Sequence, residues 1–167
     1  MSYFAAALAH AEGGWTGREL DLDDVEDLEA LAEELREQTG DGPGPALLLF
    51  EEDDEYVAVV RADGGAGSLR EPRVFLSDRR AVQGSDVARM LWEDADVSEA
   101  GGEEDEDEGN RPVADPVGDT TVLADLGTSP EELLDLCAGE GLLPADVLTA
   151  LCERAGCADV LEELREG

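Results

Sequence analysis

Three cysteines, Cys137, Cys152 and Cys157, are the residues whose type and spacing come nearest to a metal site. Cys152-x₄-Cys157 reads as a C-x₄-C pair across a helix end. Structural zinc takes four ligands, so these cysteines would supply three corners and need a fourth from His10, the chain's only histidine, or from a carboxylate. The simpler reading is that all three are reduced, buried and act as small apolar groups. Cys152 and Cys157 are near enough to crosslink under oxidation, but a cytosolic setting argues against it. No metal and no cofactor is therefore expected. As a general base, His10 would need a nucleophile or an orienting partner; the sequence suggests neither, and it reads as a turn histidine.

The acids are far more numerous. Forty-four carboxylates face 11 positive groups, all of them arginine, for a formal net charge of −33 on 167 residues. Glu103, Glu104, Asp105, Glu106, Asp107 and Glu108 form one unbroken acidic run. Such a chain forgoes the counterion release that gives nucleic-acid binding its affinity, and it repels anionic lipid headgroups. The expected partner is a basic protein, drawn in by long-range attraction. The run from Glu103 to Glu108 is the candidate contact; the plainer reading is a solubilising spacer. A second acidic run, Glu51 to Glu55, lacks the alternation with other residues by which calcium loops make their ligands converge, and it reads as a solvated turn. Arg70, Arg73, Arg79 and Arg80 are the one basic cluster. Without a phosphate-cradling pattern nearby, they are expected to neutralise acids. Trp15 and Trp92 are expected to pack rather than to stack on bases.

The elements that must position these residues fall into three zones. Residues 1–93 read as an α+β domain of order ββαβββα with an antiparallel sheet. Tyr3 to Leu8 and Trp15 to Leu22 form a hairpin across Gly13-Gly14. A helix over about 24–38 carries Val25, Leu28, Leu31, Ala32 and Leu35 at helical spacing, with Asp23 as its N-cap. Ala46 to Phe50 and Tyr56 to Val60 are continuous apolar strands, and Arg73 to Leu76 is a shorter one. Ser85 caps a last helix carrying Val87, Met90 and Leu91. Residues 94–118 have the charge, Gly and Pro content of an acidic flexible linker. Residues 119–167 form a small C-terminal helical module. Ser129-Pro130-Glu131-Glu132 and Leu143-Pro144-Ala145-Asp146 open two of its helices. Folding alone would be marginal for so short a piece, so it is expected to dock on the first domain or on a partner.

Certain segments, read together, resemble a known family. They are Tyr3-Phe4-Ala5-Ala6, the stretch from Trp15 to Leu31, Leu48 to Val60 with its acidic turn, Arg73 to Asp78, the acidic linker, Leu143 to Val147, and Cys152-Glu153-Arg154-Ala155-Gly156-Cys157. They look like the tRNA adenosine deaminase-associated proteins of high-GC bacteria, and the resemblance spans nearly the whole chain. It implies a tRNA wobble-modification context and the deaminase as partner, and it brings no catalytic residue.

The chain does not itself spell a zinc deaminase. That chemistry needs H-x-E followed by P-C-x-x-C; His10-Ala11-Glu12 supplies the first half only. The expected function is a non-catalytic, cytosolic accessory protein. No apolar run is long enough to span a membrane, and Met1 to His10 has no basic n-region to read as a signal peptide. The alternative is a small-ligand binder or enzyme with a site on the N-terminal sheet.

Overall fold

Antiparallel strands usually alternate between apolar and polar residues, because one face meets water. Two strands here do not alternate. Every side chain of Ala46–Phe50 and of Tyr56–Ala62 is buried, which requires cover on both faces of the sheet. The computed structural model, which describes residues 3–11, 14–22, 25–39, 45–52, 56–62, 72–78, 87, 89–91, 117–138 and 143–166, shows that cover.

The sheet contains β1 (Tyr3–Ala11), β2 (Gly14–Glu19), β3 (Ala46–Glu52), β4 (Tyr56–Ala62), β5 (Arg73–Leu76) and β6 (Val117–Gly118). Its order is β2-β1-β3-β4-β5-β6, with every neighbouring pair antiparallel. The fold is α+β, as the sequence pattern implies. The sixth strand is an addition: Val117 and Gly118, read from sequence as the end of the linker, pair with Leu76 and Phe75. Two residues beside a proline and two aspartates carry no strand signal. Glu103 to Glu108 and the rest of 92–116 lie outside the described residues.

One face of the sheet is covered by α1 (Leu28–Thr39). Leu28, Leu31, Ala32 and Leu35 meet Ala5, Ala7, Leu48, Phe50, Ala58, Val60, Val74 and Leu76 in one apolar cluster. Helical residues around Leu91, itself fully buried, join the same layer. The helix starts later than its spacing predicts, and Asp27 caps it; Asp23, the expected cap, lies outside the described residues. The Asp27 carboxylate accepts from the Ala30 N–H at 2.9 Å. Before it, the chain is held in a turn. Val25 N–H donates to the Leu22 carbonyl (3.1 Å), and Leu22 N–H donates to the Tyr3 hydroxyl (3.1 Å). Several acids in this stretch are competent caps, and this packing selects among them.

The opposite face is covered by the C-terminal segment: a short 3-10 turn at Ala124–Leu126, then α2 (Pro130–Ala138), α3 (Pro144–Ala155) and α4 (Ala158–Glu166). Leu133, Val147, Leu148, Leu151 and Leu161 pack onto Ala6, Leu8, Leu47, Leu49, Val57, Val59 and Phe75. The helical segment therefore completes its core on the sheet. Ser129 caps α2 reciprocally, as its sequence predicts: Glu132 N–H donates to Ser129 Oγ (3.2 Å) and Ser129 N–H to Glu132 Oε1 (3.1 Å). Gly17 lets α4 lie directly on β2, because a Cβ there would fall 2.5 Å from Leu8 Cδ2 and 2.7 Å from Val160 Cγ1. No described helix is long and apolar enough to cross a membrane.

Candidate functional site

Seven arginines lie within the described residues, and the fold turns them inward or pairs them. Arg61 ends the apolar run of β4 and is only 6% exposed. A guanidinium in that setting needs a full set of acceptors. It donates to Asp125 through both nitrogens (2.6 and 3.0 Å) and to the Val122 carbonyl (2.9 Å). The hydrogen bonds from Arg61 hold the Asp125 carboxyl below its usual range. Arg73 stands opposite Arg61 across β4 and β5. It pairs with Asp119 (3.6 Å) and donates to the Thr121 hydroxyl (3.4 Å). The two arginines thus fasten the segment 119–125 to the sheet edge.

The remaining pairs follow the same pattern. Arg18 meets Glu34 at 3.0 Å, and Arg154 meets Glu132 at 2.9 Å. The Glu132 carboxyl is lowered first by the Ser129 backbone N–H and then by Arg154. Arg165 reaches Glu51 (4.0 Å), donates to Thr149 Oγ1 (2.8 Å) and the Ala145 carbonyl (2.9 Å), and lies 5.5 Å above the Phe4 ring. Arg36 is buried, and Arg36 and Arg89 also have partners.

The carboxylates divide differently. Glu51 and Glu52, expected in a solvated turn, are the end of β3. Glu52 is buried and accepts from the Tyr56 hydroxyl at 2.9 Å, and Glu51 serves Arg165. Asp53 to Glu55 lie outside the described residues. Glu19 on β2, Glu26 and Asp125 are exposed, and most of the other exposed acids are on the helices. Glu29, Glu33 and Glu37 share one outer stripe of α1, four residues apart and all exposed; at 1.5 Å rise per residue they stand about 6 Å from one another along the axis. Glu131 and Asp135 on α2, Glu153 on α3, and Asp159, Glu162 and Glu163 on α4 are exposed as well.

His10 is not in a turn but in β1, exposed, with its ring edge-on to Trp15 at 4.9 Å between centroids. Trp15 packs into the second core and donates its indole N–H to the Ala155 carbonyl (3.2 Å). Of the basic cluster, Arg70, Arg79 and Arg80 lie outside the described residues, as does Trp92. Arg73 does neutralise acids, although its partner Asp119 is distant in sequence.

No group of three or more His, Cys, Asp or Glu side chains placed to hold a metal occurs among the described residues. Cys137 lies in α2, and burial pushes its thiol up to about 12. Cys152 and Cys157 are buried against each other at the corner between α3 and α4. The two thiols influence each other's ionisation in opposite directions. The neighbouring thiol raises Cys152, which burial raises further, and lowers Cys157. The arrangement follows from the helix end. Gly156 adopts φ 92, and the N–H groups of Gly156 and Cys157 both donate to the Cys152 carbonyl (2.8 and 2.9 Å). This end turn brings the residue three before the cap glycine's own neighbour into contact with the residue after the glycine, usually as an apolar pair. Here both are cysteines.

A model of the Rv3753c-like tRNA adenosine deaminase-associated protein family matches residues 3–158, and the chain belongs to that family. No curated protein and no solved structure matches the chain.

Proposed function

We propose that this member of the tRNA adenosine deaminase-associated family is a non-catalytic accessory protein that binds the deaminase through its carboxylate surface. The contact is with the basic surface the deaminase presents to tRNA. The observation that carries this reading is the asymmetry of charge: every described arginine is engaged within the fold, whereas the acids of α1 to α4 face outward. Among the described residues, such a surface offers little to a phosphate backbone and much to a cluster of Arg and Lys. The stripe Glu29, Glu33 and Glu37 places three negative charges in a row on one exposed helix face. The family's name supplies the partner, and the charge supplies the mode of contact. A ligand site on the sheet face is disfavoured, because β3 and β4 are buried on both sides.

Calorimetric titration of the full chain into the same organism's deaminase, at low and at physiological salt, tests the reading. Saturable binding that weakens as the Debye length shortens to about 8 Å supports it. Replacing Glu29, Glu33 and Glu37 together by Gln should slow association by about tenfold at low salt. No binding heat at either salt would overturn it.

A further inference from the structure

We infer that Cys152 and Cys157 form a redox pair, a buried dithiol that hydrogen peroxide converts to an intrachain disulfide.

The backbone holds the two residues within disulfide reach before any oxidation. Cys157 N–H donates to the Cys152 carbonyl at 2.9 Å. With N–Cα about 1.5 Å and Cα to carbonyl oxygen about 2.4 Å, that bond keeps the two Cα atoms within about 7 Å. Bridged cysteines have Cα atoms roughly 4.4–6.8 Å apart. The side chains point into the same space, because both belong to one apolar cluster and each is 1% exposed. Each thiol shifts the ionisation of the other, as neighbouring sulfurs do.

Cys157 is the group that attacks. It directly precedes α4, whose Leu161 N–H donates to the Cys157 carbonyl, so its thiol sits at the positive end of that helix. The Cys157 thiolate attacks one peroxide oxygen, the O–O bond breaks, and hydroxide leaves with the electron pair and takes up a proton as water. The Cys157 sulfenic acid is then attacked by the Cys152 sulfur. The S–S bond forms, the S–O bond breaks, and the leaving oxygen departs as a second water with the Cys152 proton. Two thiols lose two electrons in all, and one peroxide gains them. Cys137, alone on α2 with its thiol raised by burial, is the internal comparison.

Burial sets the rate. Peroxide enters when the corner between α3 and α4 opens, and the disulfide, once formed, closes that corner. Ala155, the acceptor for Trp15, lies within the closed ring, so oxidation tightens the attachment of the helices to β1 and β2.

The test is peptide mapping of the full folded chain after peroxide treatment and alkylation. The expected product has lost two hydrogens, links the peptides of Cys152 and Cys157, leaves Cys137 alkylated and is reversed by dithiothreitol. Cys137→Ser should retain the link, and Cys152→Ser or Cys157→Ser should abolish it. Mapping the unaltered chain reads the link even where a variant folds poorly. Full alkylation of Cys152 and Cys157 after peroxide overturns the inference. So does a sulfinic acid on one of them without a link, or a link that forms only in denaturant.

Discussion

The two faces of the sheet are sealed in different ways. On the first, α1 follows β2 in the chain and covers the sheet chiefly with an apolar stripe. On the second, the cover arrives from the far end of the chain and is fastened as well as packed. β6 joins the sheet edge, Arg61 and Arg73 grip Asp125 and Asp119, Gly17 admits α4, and Trp15 holds Ala155. A local helix is placed by its neighbours in sequence. A remote one has a longer loop to close and needs specific contacts to fix where it lands. The α1 face has polar ties too, Arg18 to Glu34 and Tyr3 to Leu22, but the returning segment adds a strand pairing and the buried Arg61 site.

The sharpest way to break this comparison is to empty one core position on each face. Leu31→Ala and Leu148→Ala each remove a fully buried leucine and should cost about 3 kcal/mol. If the faces share one cooperative unit, both variants lower a single unfolding transition by similar amounts. Two separate thermal transitions in Leu148→Ala, with the first unchanged in Leu31→Ala, would show that the helices unfold on their own.

Arg61→Ala should come next, at about 2 kcal/mol by denaturant titration. It empties a buried site and leaves the Val122 carbonyl unpaired, while the freed Asp125 can turn to water. Loss of amide protection should then appear first in residues 117–126. An equal loss across α1 would contradict the local role given to this pair.

Thr128 works in the opposite direction. It is 1% exposed, and its hydroxyl has no hydrogen-bond partner. Thr128→Val keeps the shape and removes the unpaired oxygen, so it should stabilise the protein by about 1 kcal/mol, read as a raised Tm.

The smallest effect is on pH dependence. Asp125 has a lowered pKa in the folded state, so its pairing with Arg61 adds stability above the ordinary carboxylate range. That stability is lost as pH falls through the folded value. Because Asp125 is well exposed, the slope is shallow; Asp125→Asn should flatten stability against pH below about pH 4 and leave its shape near neutrality unchanged.

Much of this was readable from residues. Alternation and apolar runs placed β1 to β5, Leu spacing placed α1, and Ser129-Pro130 placed the start of α2. The uninterrupted run Ala46 to Phe50 also carried a message beyond its strand, since an antiparallel strand without polar alternation must be covered twice. Other features were hidden for physical reasons. β6 is too short to have a pattern. The start of α1 was expected at Asp23, a competent cap, but contacts of Leu22 and Val25 with the core delay the helix to Leu28. Glu51 and Glu52 looked solvated because their partners, Arg165 and Tyr56, are set by tertiary contact. Arg61 had one signal, a single arginine at the end of an otherwise apolar strand, and that pattern marks a buried cation needing a distant acid. The cysteine pair was visible as a spacing, but the glycine turn that brings the sulfurs together becomes evident only in the fold.

The central claim is that the carboxylate surface occupies the place of tRNA on the deaminase. It is tested most directly by fluorescence polarisation of the labelled full chain bound to the deaminase while tRNA is added. The account predicts that tRNA displaces the chain completely, and that the chain raises the apparent Kd of tRNA in return. Polarisation that stays constant at saturating tRNA, with a three-component complex in solution, would contradict it.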